Sequence, residues 1–115
     1  MTELLVMFLI SGVILVAISI PLIRGRIAPN SLYGFRVRDT LDDPRTWYKT
    51  NTYSGKWLLA TGLIFIAVCI LAYNIPNIGL ETYSLVCMAG FLIPMTIGVI
   101  MSWRQKKKVK QSGSL

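Results

Sequence analysis

The chain has 115 residues, 54% of them apolar and only 15% charged, with 12 Lys and Arg against 5 Asp and Glu and a net charge of +7. It contains no histidine, which removes the commonest metal ligand and the commonest neutral-pH general base. Its 2 cysteines cannot build a disulfide framework or a four-ligand zinc site. A disulfide-stapled secreted scaffold, a zinc finger and a Ser-His-Asp hydrolase are thereby excluded.

In chain order, the first element is the uncharged run Leu4–Ile23, of 20 residues. A hydrocarbon core about 30 Å thick takes roughly 20 helical residues, so the run is long enough to span a membrane. Backbone groups in lipid must bond within their own segment, which makes the span a helix. The start Met1-Thr2-Glu3 has no positive n-region, and Leu22-Ile23-Arg24 is no small-residue cleavage site. The run therefore reads as a retained anchor. Neither end carries a lipidation motif.

The segment 24–56 follows, and it is long for a connector in so small a protein. Its first half holds a Pro29-Asn30 turn and a flexible Gly34. From Phe35 the pattern alternates. If the segment is extended, Phe35 and Val37 point one way and Arg36 and Arg38 the other. Two guanidiniums suit bidentate capture of phosphate or carboxylate; equally, they can meet lipid headgroups or pair with Asp39, Asp42 and Asp43. In the second half, Asp43-Pro44 is a helix start, an Asp cap followed by Pro at the first helical position. No breaker follows before Gly55, so the helix is expected to run from Pro44 through the interface into the next span. Trp47, Asn51, Gly55 and Leu58 fall on one stripe of it, and Arg45, Lys49, Thr52 and Lys56 on the opposite side. That describes an interfacial amphipathic helix with a basic outer face. The stripe either packs the segment onto the ends of the neighbouring helices or offers Trp47 and Asn51 to a ligand.

Two more uncharged runs, Trp57–Leu80 and Thr82–Trp103, have 24 and 22 residues. They meet at Asn74-Ile75-Pro76-Asn77-Ile78-Gly79, a short turn that makes them an antiparallel hairpin. Gly90, Pro94 and Gly98 share one face of the third span, where small residues let another helix approach; Pro94 is expected to kink it. Ser11 and Ser19 can bond across helices. Cys69 and Cys87, with no charged neighbour, read as packing groups. The basic tail Arg104–Lys110 directly follows the span, a place for anionic headgroups and not for nucleic acid.

All 12 basic residues lie in segment 24–56 or in the tail. Three spans put those two regions on one side, and the positive-inside rule makes it the cytoplasm, with the N-terminus outside. Trp57 and Trp103 at the inner ends and Tyr73 and Tyr83 at the outer ends read as interfacial belts. The expected fold is all-α: a polytopic protein of the cell membrane, one domain over 1–115. Its parts are a first span about 4–23, a cytoplasmic loop 24–56 with its amphipathic helix, spans about 57–73 and 82–103, and a basic tail 104–115.

Pro21-Leu22, Ile27-Ala28-Pro29-Asn30, Tyr33-Gly34-Phe35-Arg36, Thr40, Trp47, Asn51 and Gly55-Lys56 together resemble the signature of the SdpI/YfhL family. Their order and spacing over about Pro21–Gly62 carry the resemblance. It implies a bacterial multi-pass membrane protein, here of the short, three-span kind. The family's six-span founder is an immunity protein against a toxic peptide and a sensor that holds an autorepressor at the membrane. By that resemblance the expected function is binding of a toxic peptide, a lipid or a regulator, with no catalytic residue, no metal and no cofactor. The expected binding residues are Asn30, Tyr33, Gly34, Arg36, Arg38, Thr40, Trp47, Asn51 and Gly55. Expected partners are anionic lipids, the peptide or autorepressor, and a second copy of the chain. A structural membrane subunit and a lipid-modifying enzyme are the alternatives. The enzyme has only Asp39, Asp42 and Asp43 in the loop as acids or bases, and the spans hold no ionisable relay.

Overall fold

A computed structural model of the chain describes residues 2–28, 41 and 43–113, with side chains through residue 109. Among the described residues there are three long helices: α1 Thr2–Ile23, α2 Pro44–Tyr73 and α3 Leu80–Gly113. All three are long and apolar enough to cross a membrane. At about 1.5 Å per residue, α2 and α3 outrun a hydrocarbon core about 30 Å thick. Because α2 begins where α3 ends, both overhangs, Pro44–Lys56 and Arg104–Gly113, project from the same end of the bundle. Residues 44–56 are the first turns of the continuous α2, as their lack of breakers predicts. The tail continues α3 as helix to Gly113.

Local chemistry sets the helix ends. α1 closes on Gly25, whose φ of 67° lies in the left-handed region that costs other residues a Cβ clash. The Arg26 amide donates to the Pro21 carbonyl at 3.0 Å, the long bond of a Schellman closure. α2 opens on Asp43, whose carboxylate accepts from the Arg45 amide at 3.2 Å and the Thr46 hydroxyl at 2.7 Å, with Pro44 in the first turn. It closes at Asn74, whose side-chain amide donates back to the Ile70 carbonyl at 2.8 Å. In the turn between α2 and α3 the left-handed residue is Asn77, φ 59°, and not Gly79.

α2 is the centre of the bundle. It packs on both α1 and α3, while no Cα of α1 comes within 8 Å of one in α3. Small residues set these approaches. A Cβ on Gly62 would lie 3.0 Å from Val16 Cγ2 and 3.1 Å from the Gly12 carbonyl oxygen, and one on Gly12 would collide with Ile66. On the other side, Gly90 seats against Val68 and Gly98 against Trp57 Cβ, at 2.9 and 3.0 Å for an added Cβ. The Gly90–Pro94–Gly98 face is therefore occupied by α2.

Beside a few buried rings, many interior side chains are small or polar, while large apolar ones lie on the surface. Ser19, Thr61, Cys69, Ala72 and Cys87 are buried, while Leu71 and Leu85 are 70% exposed. That inversion suits lipid, which gives helices no hydrophobic reason to associate and leaves close packing to hold them. Toward the end of the bundle that carries the 74–79 turn, Phe65, Cys69, Ala72, Tyr83 and Cys87 form the main cluster. Phe8 of α1 reaches across it, with ring centroids 5.5 Å from Phe65 and 6.3 Å from Tyr83. Two expectations are corrected here. Tyr83 is fully buried and donates to the Cys69 carbonyl at 3.2 Å, so it is core and not interfacial belt. Ser11 and Ser19 donate to the Met7 and Val16 carbonyls of their own helix, four and three residues back, the local bond open to a serine inside a helix. Cys69 and Cys87 are buried free thiols in the cluster.

Candidate functional site

The end of the bundle that carries the basic overhangs gathers the polar side chains. Trp47 is fully buried, and its Nε1–H donates to the Ile27 carbonyl at 2.7 Å. Asn51, also buried, donates through Nδ2 to the Trp47 carbonyl at 3.0 Å. Gly55 lies under the end of α1, where an added Cβ would sit 3.0 Å from Leu22 Cβ and 3.1 Å from the Ile23 amide nitrogen. The stripe Trp47–Asn51–Gly55 thus faces the last turn of α1 and the chain leaving it. Thr52 adds a bond from its hydroxyl to the Leu22 carbonyl at 3.4 Å.

The consequence is a fixed frame for residues 29–42. One side of the frame is Gly25 to Ala28, closed by the Schellman turn and gripped by Trp47. The other is the Asp43 cap, which also accepts the Trp47 amide on its carbonyl at 2.9 Å. The Thr46 hydroxyl holds the Asp43 carboxyl below the usual carboxylate range, helped by the Arg45 and Thr46 amides and the Arg45 charge, against a desolvation effect that raises it. Asn30, Tyr33, Gly34, Arg36, Arg38 and Thr40, together with Asp39 and Asp42, lie outside the described residues. Of the expected binding residues, the structure brings together Trp47, Asn51 and Gly55.

A second polar seam was not anticipated. Thr46 and Thr50 on α2 and Ser102 and Lys106 on α3 are all buried. They continue the α2–α3 contact that Trp57 and Gly98 begin. The hydroxyls of Thr50 and Ser102 have no hydrogen-bond partner among the described residues. Lys106 is 3% exposed, its ammonium 3.6 Å from the centre of the Trp103 ring. A cation over an indole face keeps much of its stabilisation after losing water. Arg45 reaches over to the Val109 carbonyl at 3.4 Å. The signal was available in the sequence: Gly98, Ser102 and Lys106 recur at steps of four, the step of one helix face. Among the described residues no group of three His, Cys, Asp or Glu comes together for a metal.

Residues 26–102 match the SdpI/YfhL protein family. A Bacillus subtilis (strain 168) relative, "Uncharacterized protein YfhL", is 29% identical over 65 residues, which are 56% of this chain and 59% of that protein. The match thus spans less than two thirds of the relative's length. No solved structure matches the chain.

Proposed function

The chain belongs to the SdpI/YfhL protein family, and from that premise we propose that it is a multi-pass membrane protein that binds a membrane-active peptide or a regulator and catalyses no reaction. One observation carries the reading: the chain is fixed by hydrogen bonds on both sides of residues 29–42, at Ile27 by the buried Trp47 ring and at Asp43 by the cap that opens α2. A segment held this way is a recognition loop on a rigid base. Arg36 and Arg38 supply anion-binding guanidiniums, and Asn30, Tyr33, Gly34 and Thr40 complete the recognition surface. Trp47, Asn51 and Gly55 act from beneath, by position. The first turns of α2 lie at the headgroup level with their basic face outward. The charge bias puts the loop and the tail in the cytoplasm and the N-terminus outside.

Survival tests the proposal. Bacteria sensitive to membrane-active peptides and expressing the chain are expected to withstand at least one peptide of a panel, and the Arg36→Ala, Arg38→Ala double variant is expected to lose that protection. Unchanged sensitivity across the panel overturns the immunity reading.

A second reading is a structural subunit or homo-oligomer. It is favoured by the open apolar groove between α1 and α3, lined by Phe8, Leu15, Phe65, Met88 and Phe91. Crosslinking in native membranes tests it, and a chain that stays monomeric counts against it. A lipid-modifying enzyme has less support, since Asp43 is already engaged as the α2 cap.

A further inference from the structure

Along the α2–α3 pair lie two hollows of opposite character. At the basic end, Tyr48, Lys49, Thr52, Tyr53 and Lys56 of α2 and Gln105 of α3 line a cleft of about 350 Å³. Deeper into the span, Trp57, Ile64, Val68, Gly90, Ile93 and Ile97 line an apolar groove of about 470 Å³ along the same helix pair.

The two are continuous in register. On α2, Trp57, Tyr53 and Lys49 follow one another at steps of four. On α3, Gln105 is two such steps beyond Ile97. The boundary falls at Lys56-Trp57, where the charged overhang gives way to the uncharged run. Lys49 and Lys56 are both exposed and stand two turns apart on the cleft side. Two ammoniums, two phenols and an amide above an apolar trough match one molecular shape: an anionic head carrying a hydrocarbon chain.

We propose that this hollow is a discrete binding site for one anionic phospholipid, its phosphate between Lys49, Lys56 and Tyr53 and an acyl chain along the Trp57–Val68 trough. The ammoniums supply charge, and the Tyr53 hydroxyl and the Gln105 amide supply oriented donors. The groove supplies the selectivity for a lipid over a soluble anion. The inference rests on the three membrane helices and not on the peptide-binding reading, so either can fail alone.

Trp57 lines the trough and reports on it. The Trp103→Phe protein leaves Trp57 as the tryptophan near lipid, because Trp47 is fully buried. That protein is placed in phosphatidylcholine vesicles holding a minor fraction of phosphatidylglycerol brominated on its chains. Trp57 emission is expected to be quenched several-fold more strongly than by the same fraction of brominated phosphatidylcholine. The preference is expected to fall roughly fivefold in each of Lys49→Gln and Lys56→Gln. Arg104→Gln, a cation at the same level outside the cleft, is expected to leave it intact. Inorganic phosphate is expected not to relieve the quenching. Equal quenching by the two lipids, an equal loss in Arg104→Gln, or relief by inorganic phosphate each overturns the proposal.

Discussion

Asp43 does two jobs with one carboxylate, capping α2 through the Arg45 amide and holding the Thr46 hydroxyl. Its pKa in the folded chain is lowered from the ordinary 3.8. A carboxyl with a depressed folded pKa contributes stability above its unfolded value and loses that contribution as pH falls through the folded one. The start of α2 is therefore expected to be firm at neutral pH and to loosen below about pH 4. Amide exchange at residues 45–47 in detergent micelles, measured over that range, checks this, and Asp43→Ala is expected to abolish the dependence. Trp47 offers a separable test. Trp47→Phe keeps most of the buried ring but leaves the Ile27 carbonyl without its donor, an expected cost of about 1 kcal/mol. It is also expected to speed proteolysis within residues 29–42. Thermal melting and limited digestion read the two effects, and a variant that melts lower with no gain in cleavage would refute the pinned-loop account.

Among the helices, α2 is gripped on one side by glycine contacts with α1 and on the other by those with α3. Gly62→Leu would drive a side chain into Val16, Leu15 and the Gly12 carbonyl, and a backbone oxygen cannot rotate away. The expected cost is about 1–3 kcal/mol, seen as a lower melting temperature in micelles. Gly79→Ala is the control: nothing lies within 4 Å of its Cβ position, so its effect is expected within about 0.5 kcal/mol. Tyr83→Phe removes only the bond to the Cys69 carbonyl and is expected to cost about 0.6 kcal/mol, the usual worth of an interhelical bond in lipid. The Asp43-Pro44 start, the unbroken run into the span and the turn at 74–79 were all legible, because caps, prolines and turns act through local chemistry. Which faces meet was less so. An uncharged span is apolar on every side and carries no polar face to mark its outside. The glycines of α3 were evident as a face, but the Gly12–Gly62 contact and the burial of Tyr83 depend on where α1 sits.

At the scale of the whole molecule, three spans and one basic end are plain in the distribution of charge. The stripe Trp47–Asn51–Gly55 was visible as a face, but its target, the chain leaving α1, emerged only once the helices were placed. The orientation has its own test. A reporter active only outside the cell, fused at residue 115, is expected to stay silent, and the same reporter at the N-terminus is expected to work. The placement of α2 between two helices that barely touch has a further consequence, for biogenesis. Contacts run in the order of synthesis, first helix to second and second to third, with Phe8 against Tyr83 as a late clasp between first and third. Each later helix leaving the translocon finds the helix before it already threaded and packs on that one, so no pairing has to reach past an intervening span.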